Sequence, residues 1–214
     1  MKKTLAALLL AGAVAPLAAQ ASQSNDISYT YVQLDYANMS QSGHGFVADG
    51  GSLSGSYGFA DHFQVFGSYS NLRGDKESMQ VLGYTFTEQT KNHPWSLGVG
   101  YFTAIGNRAD WVTQLSYTRD RFTHRFCMAS YGCDGFSNRF DVGAIQTGIM
   151  GHITDRLIGN AYLGYGNGGH GVTGKVYGDF GLMYAVNHTW GVRAGVMVNN
   201  DSTETFTLGV RASF

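Results

Sequence analysis

The strongest constraint on what this 214-residue chain can fold into is the spacing of its turns. From residue 27 onward, clusters of Gly, Asn, Asp and Ser cut the sequence into runs of roughly 10 residues, about the length of a strand that crosses a bilayer at a tilt. Ten such runs are expected, at residues 27–38, 50–59, 63–71, 95–104, 110–121, 139–152, 156–166, 174–186, 189–199 and 204–214. The connections alternate in length: residues 60–62, 105–109, 153–155 and 187–188 are short, 39–49, 72–94, 122–138 and 167–173 are long, and only 200–203 departs from the rule. Short turns at one end and long loops at the other describe an antiparallel meander, and an even strand count returns both of its ends to the same side.

Within the runs the side chains follow the two-residue period of a strand. Trp190, Val192, Ala194, Val196 and Val198 alternate with Gly191, Arg193, Gly195 and Met197, and Leu53, Tyr57 and Phe59 face away from Ser52, Ser54 and Ser56. Runs 27–38 and 139–152 alternate poorly. With 30 Gly, 13 Tyr, 13 Phe and only 2 Pro, the composition suits aromatic-rich strands and leaves little room for helix. An apolar face of this kind could line the interior of a soluble two-sheet sandwich. Three features favour lipid instead: aromatics gather at strand ends as in interfacial girdles, the opposite face is rich in Gly and Ser as in a narrow lumen, and the last run ends on Phe214. The expected fold is therefore all-β, a closed antiparallel up-and-down transmembrane barrel of about ten strands. A count of eight stays open, because Gly-rich strands specify register weakly.

The first residues read as an export signal. Lys2 and Lys3 precede an apolar stretch over 5–15 and an A-x-A site at Ala19-Gln20-Ala21, so residues 1–21 are expected to be a cleaved signal peptide and 22–214 the barrel. Together with the barrel pattern, that predicts a bacterial outer-membrane location. No run elsewhere supplies the roughly 18 consecutive apolar residues of a transmembrane helix. Net charge is −1, or −3 without Lys2 and Lys3, and carries no nucleic-acid footprint. Cys127 and Cys133 lie close together in a chain bound for an oxidising compartment, which predicts a local disulfide; their spacing is too wide for C-x-x-C, and only His124 is near, so no metal site is expected.

Several motifs carry narrower expectations. The terminal stretch with Phe206, Leu208, Val210 and Phe214 looks like the β-signal read by the barrel assembly machinery, with small Ala212 as its departure from the common pattern. Lys175, Asp179, Arg193 and Arg211 should face the lumen, where a barrel of this size is filled by its own side chains and buried charges must pair. Gly164 to Gly169 satisfies G-x-G-x-x-G, but with no helix to follow it is a strand end, and no cofactor is expected. Neither a nucleophile elbow nor H-E-x-x-H occurs; Asp120 with His124, and His44 with Asp49, are the candidate acid–base pairs at the loop rim.

Through Ser28-Tyr-Thr-Tyr-Val32, Gly55-Ser-Tyr-Gly-Phe59, Phe63-Gln-Val-Phe-Gly-Ser-Tyr-Ser70, Trp95-Ser-Leu-Gly-Val-Gly-Tyr101 and the strand pair from Trp190 to Phe214, the sequence resembles the small barrels known as diffusible-signal-factor-regulated outer-membrane proteins. The resemblance implies an outer-membrane protein linked to surface traits such as motility and biofilm, with no catalytic residue to carry over. The segment 79–90 and the cysteine loop depart from it. The expected function is a non-enzymatic barrel whose loops make surface contacts, with outer-membrane lipid and lipopolysaccharide as its surroundings and an unknown surface ligand. A narrow porin for small solutes and a rim-active hydrolase are the alternatives.

Overall fold

The computed structural model describes residues 23–41, 47–74, 77–81, 84–128, 132–169 and 174–214, so the expected signal at 1–21 and His44 lie outside the described residues. A short hairpin of β1 (Gln23–Ser24) and β2 (Ile27–Ser28) precedes β3 (Tyr31–Gln41), β4 (Val47–Phe59) and β5 (Phe63–Gly74). A second hairpin, β6 (Glu77–Val81) and β7 (Tyr84–Asn92), leads to β8 (Trp95–Ala104), β9 (Ala109–Met128), β10 (Gly132–His152), β11 (Leu157–Gly168), β12 (Lys175–Ala185), β13 (Trp190–Asn199) and β14 (Thr203–Ser213). Helix is absent among the described residues.

Ten strands, β3, β4, β5 and β8 to β14, pair antiparallel in a closed ring. The seam joins the last strand to the first wall strand in continuous register from Thr203↔Gln41 to Ser213↔Tyr31. Closure of this kind leaves no unpaired edge within the wall, the one way a sheet can satisfy all its backbone groups where water is absent. The open count is settled at ten, since β4 with β5 and β10 with β11 form separate hairpins.

Alternation sorts the wall into two environments. Leu34, Leu97, Leu115, Leu163, Leu182 and Leu208 point outward and are all at least half exposed. Aromatic residues bound this apolar band, with Tyr36, Tyr69, Trp95 and Tyr117 towards the long-loop end and Phe63, Tyr101, Trp111 and Trp190 towards the short-turn end. Neighbouring rings touch edge to face, Phe63 with Tyr101 at 5.4 Å and Trp95 with Tyr117 at 5.8 Å. Of the terminal residues singled out in the sequence, Phe206, Leu208 and Val210 lie on this outward face.

Three expectations need correction. The first wall strand starts at Tyr31, because Ile27 to Thr30 leave the wall and enter the lumen. The connection at 72–94 contains the β6–β7 hairpin, and 122–138 is largely strand, since β9 and β10 stay paired from Ala109↔Gly151 to Met128↔Gly132. Beyond the wall, β7 replaces β8 as the neighbour of β9, pairing from Asn92↔Phe122 to Phe86↔Met128. A four-stranded sheet of β6, β7, β9 and β10 thus rises from the rim on strands that begin in the wall.

Glycine sets how closely strands and rings approach in the lumen. A Cβ on Gly98 would lie 2.3 Å from the Phe66 ring and 2.6 Å from the Leu115 carbonyl oxygen, so the ring can lie across the neighbouring strand only because Gly98 has no side chain. Gly98→Val is expected to reduce the fraction that reaches the compact form. The check is gel mobility of unboiled against boiled samples: wild type shifts on boiling, and an undiminished shifting band in the variant counts against this packing.

Candidate functional site

At the short-turn end the chain's own N-terminal hairpin enters the lumen, beside a remaining cavity of about 850 Å³. Asn25 and Asp26 adopt positive φ (48° and 60°), a conformation these two residue types tolerate, and turn the chain back so that Ile27 and Tyr29 enter the barrel. Tyr29 stacks on Phe102 with centroids 3.6 Å apart and planes 8° from parallel, and both rings are buried beside Ile27, Val112 and Tyr162. Its hydroxyl donates to Asp110 Oδ2 at 2.8 Å, while Asn25 Nδ2 donates to Asp110 Oδ1 at 2.7 Å and to the Ala109 carbonyl at 2.8 Å. A fully buried carboxylate is tolerated only with donors of this kind. Ser28 Oγ donates to the Phe214 carbonyl at 2.7 Å, tying the hairpin to the seam.

Above this plug lies a polar layer. Asp35 Oδ2 accepts from Gln33 Nε2 at 2.6 Å and pairs with Arg193 at 3.3 Å; Arg211 Nε donates to Gln33 Oε1 at 2.9 Å, and its guanidinium lies 3.8 Å above the Tyr31 ring. Asn160 Nδ2 donates to Asp179 Oδ1 at 3.1 Å. The space left among these groups is a cavity of about 190 Å³, bounded by Tyr29 and Tyr162 as well as by Arg193 and Arg211. All of the lumen charges expected from sequence belong to the inward face, but they do not pair with one another. Arg193 reaches Asp35 across the seam, and Lys175 pairs with Asp201 at the rim. Asp35, Asp110 and Tyr29 were missed as a group. The signal for Asp35 was there, because Val32, Leu34 and Tyr36 alternate with Gln33 and Asp35 once the strand is started at Tyr31.

At the loop rim, Asp120 and His124 share the inward face of β9 without pairing. Asn92 Nδ2 donates to Asp120 Oδ2 at 3.1 Å, and His124 pairs with Glu88 while stacking on Phe136. Asp49 accepts from the Tyr36 hydroxyl at 2.6 Å. Among the described residues no group of His, Cys, Asp and Glu is arranged to hold a metal ion. Cys127 and Cys133 are bonded as a cross-strand disulfide near the tip of the β9–β10 hairpin, directly opposite in register, on strand rather than in a loop.

No family model and no curated protein matches the chain. Solved structures of similar shape do exist. The translocator domain of the autotransporter NalP from Neisseria meningitidis matches at 11% identity over 100% of this chain and 98% of that one, with a TM-score of 0.49. The KdgM porin matches at 14% identity over 85% and 99%, with a TM-score of 0.44. Ail, the attachment invasion locus protein of Yersinia pestis, matches at 12% identity over 86% and 95%, with a TM-score of 0.41. These are likenesses of fold alone.

Two measurements follow from the rim. Intact mass of the protein purified without reductant should lie two hydrogens below the reduced form, and free alkylation of both thiols in native protein would refute the bridge. Burial pushes the Asp201 carboxyl up, but Lys175 and the Thr203 hydroxyl and backbone N–H more than offset this and leave it below the ordinary carboxylate range. A carboxyl that titrates lower folded than unfolded contributes stability above the unfolded value and loses it as pH falls through the folded one. The urea midpoint of wild type is expected to exceed that of Asp201→Asn by a small margin at neutral pH, and the difference to shrink as pH drops below about 4. A pH-independent difference would show that the ion pair is not its source.

Proposed function

We propose that this chain is a non-enzymatic bacterial outer-membrane barrel whose lumen is closed and whose external β6–β7–β9–β10 sheet is its working surface. In that setting the short turns and both described ends lie in the periplasm, and the long hairpins face outward. The observation that carries the reading is the contrast between a dry, girdled outer wall and a lumen plugged by Tyr29 on Phe102 and anchored by Asp110. The space left in the polar layer is about 190 Å³ and shares Met150, Ile158, Met183 and Arg211 with a cavity of about 850 Å³ at the short-turn end, so the reading rests on the plug and on the paired side chains that crowd the lumen beside them. Engagement of Asp120 by Asn92 and of His124 by Glu88 favours a structural rim over a catalytic one. A surface-contact role of this kind accords with the resemblance to the diffusible-signal-factor-regulated barrels.

Planar-bilayer recording of pure protein tests the reading. Wild type is expected to give no steady single-channel steps, and a Tyr29→Ala, Phe102→Ala double variant that keeps its heat-dependent gel shift is expected to conduct. Steady steps from wild type would replace this proposal with the narrow porin.

A further inference from the structure

The external sheet has two faces of opposite charge. Residues opposite one another in register share a face. Glu88, Asp120 and Asp134 therefore lie on the face that continues the lumen side, while Arg73, Lys91, Arg121, Arg125 and Arg139 lie on the face that continues the outward wall. Arg73 stands between Lys91 and the carboxylate Asp49, Lys91 is opposite Thr123, and Arg121 is directly opposite Arg139. Arg121 Nε contacts Ser137 Oγ at 3.3 Å, but none of the five cations forms an ion pair among the described residues. Arg119, just below them, is already taken by Asp141 at 2.7 Å. Like charges directly opposite on adjacent strands repel, in a protein whose net charge is only −1.

The height of this patch identifies what can neutralise it. Arg119 is in register with Trp95, in the aromatic girdle at the loop end. Arg121 is two residues further out and Arg125 six, roughly 7 and 20 Å along the strand at about 3.4 Å per residue. With the usual strand tilt those positions fall in the headgroup layer and just above it. The outward direction at that height is occupied by lipid headgroups, since the patch continues the lipid-facing wall. Guanidinium groups bind phosphate through paired N–H donors, and one phosphate between Arg121 and Arg139 would turn their repulsion into a bridge.

We propose that the outward face of β5, β7, β9 and β10 binds the phosphate groups of the phosphorylated glycolipid of the outer leaflet, with Arg121 and Arg139 as its centre and Arg125 and Lys91 above them. This inference rests on the outer-membrane reading given above.

The test is native mass spectrometry and thermal unfolding of the full protein in phosphatidylcholine nanodiscs, alone or supplemented with bisphosphorylated lipid A, monophosphoryl lipid A or phosphatidylglycerol. Wild type is expected to retain bisphosphorylated lipid A and to gain most in unfolding temperature from it, less from the monophosphoryl form and least from phosphatidylglycerol. The Arg121→Gln, Arg139→Gln double variant should bind lipid A roughly tenfold more weakly, in line with loss of charge-assisted hydrogen bonds, yet keep its heat-dependent gel shift. Arg108→Gln, at the opposite end of the barrel where Arg108 pairs with Asp155, should bind as wild type does. Equal retention by the double variant, or equal gain from phosphatidylglycerol, overturns the inference while leaving the membrane reading intact. Failure of wild type to insert into any nanodisc overturns the membrane reading itself.

Discussion

Everything in this molecule depends on the closing of a sheet. A strand in hydrocarbon has no solvent to satisfy its N–H and C=O groups, so the first and last wall strands must find each other, and Tyr31–Gln41 does so with Thr203–Ser213 along its whole length. Once the ring is closed, the two-residue period has only one meaning per face. Leu208 and Val210 must face out, and Gly209 and Arg211 must face in. Gly209 shows how tight the seam is: a Cβ there would come within 2.2 Å of both Asp35 Oδ1 and the Leu34 carbonyl oxygen.

Closure also creates the problem that the lumen residues solve. Ten strands enclose a space too wide for glycine and serine to fill and too narrow for bulk water to solvate charges well. Arg193 and Asp35 meet across the seam, and Arg211 is held between Gln33 and the Tyr31 ring. Breaking such a buried pair by removing one partner typically costs about 3–5 kcal/mol, because the remaining charge stays where water cannot reach it. The plug adds an apolar contact, Tyr29 against Phe102, to this polar layer, so two different kinds of interaction occupy the lumen, stacked one above the other.

Much of this could be read from residues in order, and the misses have physical causes. Turn spacing and alternation gave ten strands because a membrane strand must be long, regular and two-faced. The plug escaped because Ile27 and Tyr29 alternate with Ser28 and Thr30 just as a strand would; the Asn25-Asp26 turn that redirects them was the available clue. Run 139–152 alternated poorly because Val142, Ala144 and Met150 are apolar yet face inward. The external sheet reads as loop in the sequence because arginines on its outward face end the apolar pattern at residue 121, although Tyr84-Thr-Phe-Thr keeps the strand period. Pairings such as Arg193 with Asp35 need the closed ring in hand, since 158 residues separate the partners.

The β9–β10 hairpin belongs to the wall and to the external sheet at once, with unbroken register from Ala109 to Met128. No joint lies between the two. From Arg119 at the girdle to Met128 is a span of roughly 30 Å along the strand, cross-tied near its end by Cys127 and Cys133. A force or a contact at the tip is therefore transmitted to the barrel as to a lever fixed in its socket. Whatever meets the tip meets it at a set distance from the surface and at a set angle to it.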